Sequence, residues 1–211
     1  IMHGQWTEPQ KKPFTGADLG LYSMTLNNDL ERDYASLQAY RDFRNEAERY
    51  GFRYFLEVFN PNMPTGFSPE QTGAFLNDHI TRLLAGVTDA QRPVFLKIPY
   101  NGPKVMEELA AYDPRLVVGI LGGGAGTTMD AFKLIHDAQK YGARVALFGR
   151  KINFSEDPLS FISYLRAITD GELSPEEAVR AYHGDLQKKK IPPQRPLEKD
   201  LETTEQALCY K

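Results

Sequence analysis

Two runs of sequence decide how this chain is organised: Pro93-Val94-Phe95-Leu96-Lys97-Ile98-Pro99-Tyr100, and, after a helix-length interval, Leu116-Val117-Val118-Gly119-Ile120-Leu121-Gly122-Gly123-Gly124-Ala125-Gly126-Thr127-Thr128. Each begins as a short apolar run of strand length. The first carries a lysine and the second opens into glycines. Strand, helix-length interval and strand in that order imply two parallel strands joined by a right-handed crossover.

Working outward from this pair, the same alternation recurs. Residues 18–26 read as a strand, and Asn27-Asn28-Asp29 ends it and caps the next element. Leu30, Tyr34, Leu37, Tyr40, Ala47 and Tyr50 fall mostly at three- and four-residue spacings, which predicts a helix over 30–50 ended by Gly51. Residues 52–59 are a bulky, aromatic strand, with a loop marked by Pro61, Pro64 and Gly66 after it. Ser68-Pro69-Glu70-Gln71 has the form of a capping box with proline at the first helical position, so a helix runs from there to about Ala85. On the other side, residues 129–141 predict a helix closed by Gly142, residues 144–148 a strand, and Asp157-Pro158 and Ser174-Pro175-Glu176-Glu177 two further helix starts. Residues 2–12 allow the end of one more strand. Beyond Gly184, Lys188-Lys189-Lys190 and Pro192, Pro193 and Pro196 read as a solvated polar tail, so the expected organisation is one domain over 1–184 and a tail over 185–211. Five or six parallel strands suit either a doubly wound open sheet or part of a (β/α)8 barrel.

Composition narrows the function classes. The 211 residues are 41% hydrophobic and 25% charged, as in ordinary globular domains, and no apolar run approaches the roughly 20 residues of a membrane helix. A net charge of −3 offers no basic excess for a phosphate backbone, so neither nucleic acid nor a membrane is expected as a partner. The lone Cys209 cannot make an intrachain disulfide, and a reducing, cytoplasmic setting is expected. His3, His79, His136 and His183 are scattered without metal-ligand spacing, so no metal and no cofactor is expected. The chain begins Ile1-Met2-His3-Gly4, and the expectation is that it starts partway through a longer protein.

Three features could carry chemistry. Lys97 sits in a run that otherwise favours burial. It is either a lysine whose stem is buried and whose ammonium snorkels to an edge, or an amine in a barrel mouth poised to form a Schiff base with a carbonyl. Glu57 is the one charge within Tyr54-Phe55-Leu56-Glu57-Val58-Phe59, and strand alternation puts it on a face with Phe55 and Phe59. A carboxylate there is either half of a structural ion pair with an Arg or Lys, or a proton donor or acceptor paired with a substrate or with Lys97. The glycines at 122–126 follow a strand and precede a helix, an arrangement in which backbone N–H groups and the helix N-terminus favour phosphate. They match neither the Walker nor the dinucleotide pattern. Gly149-Arg150-Lys151, after the next strand, adds positive charge at the neighbouring strand end.

In this order, over roughly residues 18–170, the motifs resemble the second half of the class I, Schiff-base aldolases of the deoxyribose-phosphate and tagatose-bisphosphate aldolase superfamily. Phe55-Leu56-Glu57 is similar to a strand-five motif of the tagatose-bisphosphate and sulfofructose-phosphate aldolases. The resemblance implies an α/β fold of the (β/α)8 TIM-barrel type, here lacking its first two or three βα units. Residues 2–6 would then be the remains of strand three and 18–26 strand four. It implies Lys97 as the Schiff-base lysine, Glu57 as the acid/base, and Gly123, Gly124, Gly149 and Arg150 as the cradle for the phosphate of a small sugar phosphate, with a homo-oligomer as a possible assembly. Where relatives often carry a tyrosine or an acidic partner on strand four or five, this sequence has Ser23, Thr25 and Phe59, and Tyr22 or Tyr100 are the candidate substitutes in a proton relay. The alternatives are a phosphate-binding barrel isomerase or epimerase that uses Lys97 only as a charge, and a non-catalytic barrel that serves in an assembly.

Overall fold

The computed structural model describes residues 17–123 and 126–210. Gly124 and the residues 2–6 read as a strand remnant lie outside them. Among the described residues five strands form one parallel sheet: β1 (Leu19–Thr25), β2 (Arg53–Phe59), β3 (Leu96–Ile98), β4 (Val118–Leu121) and β5 (Val145–Leu147). They are ordered β1-β2-β3-β4-β5, with no reversal. α1 (Leu30–Tyr50), α2 (Pro69–Leu84), α3 (Pro103–Tyr112) and α4 (Thr128–Lys140) connect successive strands.

The helix starts follow from local chemistry. Ser68 closes a reciprocal capping box with Gln71, and Thr127 closes another with Asp130. Gly51, at φ +63°, ends α1 by returning its N–H to the carbonyls of Ala47 and Glu48. β3 is shorter than the apolar run suggests. Its pairing starts with the Val94 N–H on the Tyr54 carbonyl, and Pro99, which has no N–H to give, lies just past its end.

Sequential order and right-handed crossovers put every connecting helix on the same side of a sheet, and the core shows this. Met24, Tyr54, Leu56, Val58, Leu96, Ile98, Val118 and Ile120 form one buried cluster with Tyr40 and Ala47 of α1, Leu76, Ile80 and Leu84 of α2, Met106 and Leu109 of α3 and Ala138 of α4. The sheet is therefore singly wound, not doubly wound. The strand positions in between face away from these helices: Leu21 is 48% exposed and Phe59 39%.

A second cluster joins the far side of α4 to α6 (Pro158–Thr169) and α7 (Pro175–Lys189) through Phe132, Phe161, Leu165, Val179, Tyr182 and Leu186. Here the expected solvated tail is corrected. α7 continues through Gly184 to Lys189, because burial of Tyr182 and Leu186 outweighs the roughly 1 kcal/mol that an interior glycine costs. Beyond it, α8 (Leu197–Asp200) and residues 201–210 fold back over α4, where Leu208 enters the main core. Leu197 and Leu201 pack against the second cluster. Among the described residues no helix is long and apolar enough to cross a membrane.

Candidate active site

The face of the sheet turned away from α1–α4, which no helix among the described residues covers, has a row of residues set by strand register. Ser23 of β1 pairs with Glu57 of β2, Glu57 with Lys97 of β3, Lys97 with Gly119 of β4, and Gly119 with Val145 of β5. Neighbours paired in a parallel sheet point to the same side, so the register brings the amine and the carboxylate together. Lys97 Nζ lies 2.5 Å from Glu57 Oε1, and Ser23 Oγ donates to Glu57 Oε2 at 2.8 Å. The Glu57 side chain is 5% exposed and that of Lys97 20%. The carboxylate is thus enclosed with both oxygens engaged, while the amine keeps access to solvent. Phe55 and Phe95, one step toward the strand starts, stack at 4.7 Å between ring centroids and wall the row on that side. Gly119 leaves the neighbouring position without a side chain, and a Cβ there would come within 2.6 Å of the Leu96 carbonyl oxygen.

Tyr22 and Tyr100 do not join this row. Tyr22 packs against Tyr40 and Phe43 on the helix side, and Tyr100 is buried in the main core with its hydroxyl 3.4 Å from that of Tyr210. Burial pushes the Tyr100 hydroxyl up to about 12. The expected tyrosine relay is therefore corrected, and Ser23, named in the sequence only as a departure, is the hydroxyl that reaches Glu57. Past the ends of β2 and β3, Asn60 and Asn101 exchange two side-chain hydrogen bonds of 2.9 Å and tie the two loops together. Nothing in the sequence singled them out, since their pairing depends on strands 41 residues apart.

The glycine-rich segment follows β4, at the same end of the sheet. Gly122 gives its N–H to the Leu147 carbonyl, and the Phe148 ring lies so close that a Cβ would meet it at 2.4 Å. Gly123 takes φ +60°, which favours glycine. Gly149 and Arg150 open the one-turn helix α5 (Arg150–Asn153), and both are exposed. Lys151, rather than Arg150, touches the glycine loop: its Nζ donates to the Gly126 carbonyl at 2.8 Å. Burial holds the Lys151 ammonium below the usual lysine value, and Arg195 adds repulsion in the same direction.

At the start of α4 the expectation of a helix end open to an anion is corrected. The Thr127 N–H donates to Asp130 Oδ2 at 2.8 Å, and the Thr128 N–H to Asp200 Oδ1 at 2.7 Å. The partial positive charge of this terminus is already met by two carboxylates of the chain itself. Burial would raise both carboxyls, but hydrogen bonds outweigh it: those to Asp130 come from Thr204, Thr127 and Glu205, and those to Asp200 from Thr128 and His183.

No family model matches the chain, and no curated protein does. Solved structures do. The chain is similar to an archaeal fructose 1,6-bisphosphate aldolase, with a TM-score of 0.57 and 19% identity over 74% of this chain and 59% of that one. A structure from work on the mechanism of the Schiff-base-forming fructose-1,6-bisphosphate aldolase gives 0.56 and 19%, over 75% and 59%. The fructose-bisphosphate aldolase from Slackia heliotrinireducens gives 0.53 and 16%, over 77% and 52%. The likeness establishes a shared α/β fold, consistent with the class I aldolase resemblance in the motifs. The chain spans about 59% of the length of the first two of these structures.

Proposed function

We propose that this chain forms five consecutive strands of a (β/α)8 barrel and carries the reaction centre of a class I aldolase, which makes or breaks a carbon–carbon bond of a phosphorylated ketose through a Schiff base on Lys97. The observation that carries the reading is the Lys97–Glu57 pair, 2.5 Å apart on the sheet face that no helix among the described residues covers. That face is the one a barrel turns inward, and in a barrel the chemistry sits at the C-terminal ends of the strands. The likeness to fructose-bisphosphate aldolases, one of them named as Schiff-base forming, supports both parts.

The residues support a balanced sequence of steps. Lys97 passes a proton to Glu57, its nearest base, and the neutral amine attacks the ketose carbonyl to give a carbinolamine. Glu57 returns the proton to the departing hydroxyl, water leaves, and a protonated imine forms. Breaking the bond between the carbons α and β to the imine carbon sends its electron pair toward the imine as an enamine, while a base takes the proton of the β-hydroxyl, which becomes the aldehyde. Protonation and hydrolysis of the enamine release the second product and restore the amine. Ser23 holds Glu57 in the rotamer that faces Lys97. In this reading Gly123, Gly124, Gly149 and Arg150 hold the substrate phosphate and so orient its carbonyl.

Borohydride reduction in the presence of dihydroxyacetone phosphate, followed by intact mass, tests it. One reduced adduct per chain is expected, absent in Lys97→Met. No adduct, or an adduct that persists in Lys97→Met, contradicts the Schiff base and favours Lys97 as a charge in an isomerase or epimerase. Loss of phosphate-dependent thermal stabilisation in Arg150→Ala is expected if Arg150 contributes to the cradle.

A further inference from the structure

We propose that Lys151 and Arg195 hold a single oxyanion of the phosphate class between α5 and the chain that follows α7. The two side chains line one cavity of about 100 Å³, with Gly126, Phe154, Glu156 and Phe161 among its other walls. That volume corresponds to about three waters at roughly 30 Å³ each, room for one tetrahedral oxyanion. It lies well under the roughly 300 Å³ at which sites for larger organic ligands begin. Lys151 is partly buried, yet its Nζ has one hydrogen-bond partner, the Gly126 carbonyl at 2.8 Å, and no carboxylate within ion-pair distance among the described residues. The other partly buried lysines among the described residues, Lys97 and Lys133, each have one, Glu57 and Asp137. Arg195, which is exposed, makes no hydrogen bond or ion pair among the described residues.

A charge taken out of water is costly unless it is paired, and here a second cation adds to the cost. Burial and the repulsion of Arg195 together outweigh the pull of Asp200, Asp130 and Glu156 on the Lys151 ammonium. These carboxylates are engaged elsewhere. Glu156 accepts from the Tyr182 hydroxyl at 3.0 Å and from the Gln194 N–H at 2.8 Å. Asp130 and Asp200 are held by the N–H groups of Thr127 and Thr128 and by donors from Thr204 and His183. An anion in the cavity would meet the two N–H groups that Lys151 has to spare and the guanidinium of Arg195, so that charge-assisted hydrogen bonds replace a like-charge contact. It would also link Gly126, through Lys151, to the chain after α7. The site is made of side chains at 151 and 195, and it stands whether or not residues 122–126 hold a substrate phosphate.

Titration of the full chain with inorganic phosphate at constant ionic strength, followed by calorimetry, tests this. The starting protein is Arg150→Ala, which removes the arginine assigned above to the substrate phosphate. It should still bind phosphate, and adding Arg195→Ala should weaken that binding about tenfold or more, as for the loss of hydrogen bonds to a charged group. Lys151→Met in the same background should do the same, and Arg195→Lys should restore most of the affinity. Because Arg195 is exposed and without a partner among the described residues, Arg195→Ala should keep its thermal midpoint in phosphate-free buffer, so weaker binding there is not a folding defect. Phosphate binding that Arg195→Ala leaves unchanged overturns the proposal, as does an Arg150→Ala protein that binds no phosphate. Borohydride trapping with dihydroxyacetone phosphate then separates two sources of the anion. If it is the substrate's own phosphate, Arg195→Ala raises the concentration for half-maximal trapping about as much as it weakens phosphate binding; if it is free phosphate, that concentration does not move. Either result keeps the site. A protein that titrates through Lys151 and Arg195 but traps nothing also keeps it, and loses the Schiff base.

Discussion

The two faces of the sheet are made from alternate residues of the same strands, yet they differ in what they hold. Tyr54, Leu56 and Val58 of β2, with Leu96 and Ile98 of β3, point into the helices and are buried. Phe55, Glu57 and Phe59, with Lys97, point the other way and include a buried carboxylate, an ion pair and apolar groups left partly exposed. Because the side-chain period is two, a slip of one residue would exchange the faces, so stability and chemistry share a backbone without sharing positions. Substitutions at neighbouring residues should therefore give separable effects.

The largest expected effect is on the helix side. Leu56→Ala removes a fully buried side chain and should lower unfolding free energy by about 3 kcal/mol, against under about 1 kcal/mol for Leu21→Ala on the open face. Denaturant unfolding of the two variants checks this, and equal losses would break the distinction. Next is Glu57→Gln, which should slow adduct formation about a hundredfold, as for loss of a general acid/base, while folding is largely kept. A stability loss that matches the loss in rate would make the pair structural.

A smaller effect concerns pH, and it lies away from both faces, at α4. Asp130, Asp137 and Asp200 all have carboxyls held below the ordinary value, because hydrogen bonds outweigh the cost of burial. The native state thus binds fewer protons than the unfolded chain. Stability from these groups should be complete above their unfolded value of about 4 and decline as pH falls through their lower native values. Thermal midpoints between pH 6 and pH 3 should fall less steeply in Asp130→Asn than in the wild type. The smallest effect expected is for Ser23→Ala, in which Glu57 loses one hydrogen bond of about 1 kcal/mol and adduct formation slows about fivefold.

Much of this comparison could be read from residue order. Alternation within 52–59 set Glu57 apart from Leu56, and caps at Ser68 and Ser174 marked helix starts where the structure has them. What could not be read was long range. Lys97 is one of the partners the residues allow for Glu57, but that it is the partner, and that Ser23 is the other, depends on the registers of β1, β2 and β3, which no local pattern encodes. The fold-back of the C-terminal residues over α4 was hidden for a related reason. The lysines and prolines of residues 188–196 have the composition of a solvated segment, while the groups that anchor the segment after them, Asp200 and Thr204, find their partners at Thr128 and Asp130. Arg150 drew attention through the Gly-Arg pair, but it is Lys151 whose side chain turns toward the glycine loop.

The central claim, that Lys97 on the face turned away from α1–α4 is the nucleophile, is met most directly by locating the reduced adduct. The protein is incubated with dihydroxyacetone phosphate, reduced with borohydride, digested and sequenced by tandem mass spectrometry. The account predicts a single modified residue, Lys97, and no modification at Lys104 or Lys151. Modification at Lys151, or spread over surface lysines with Lys97 untouched, would contradict it.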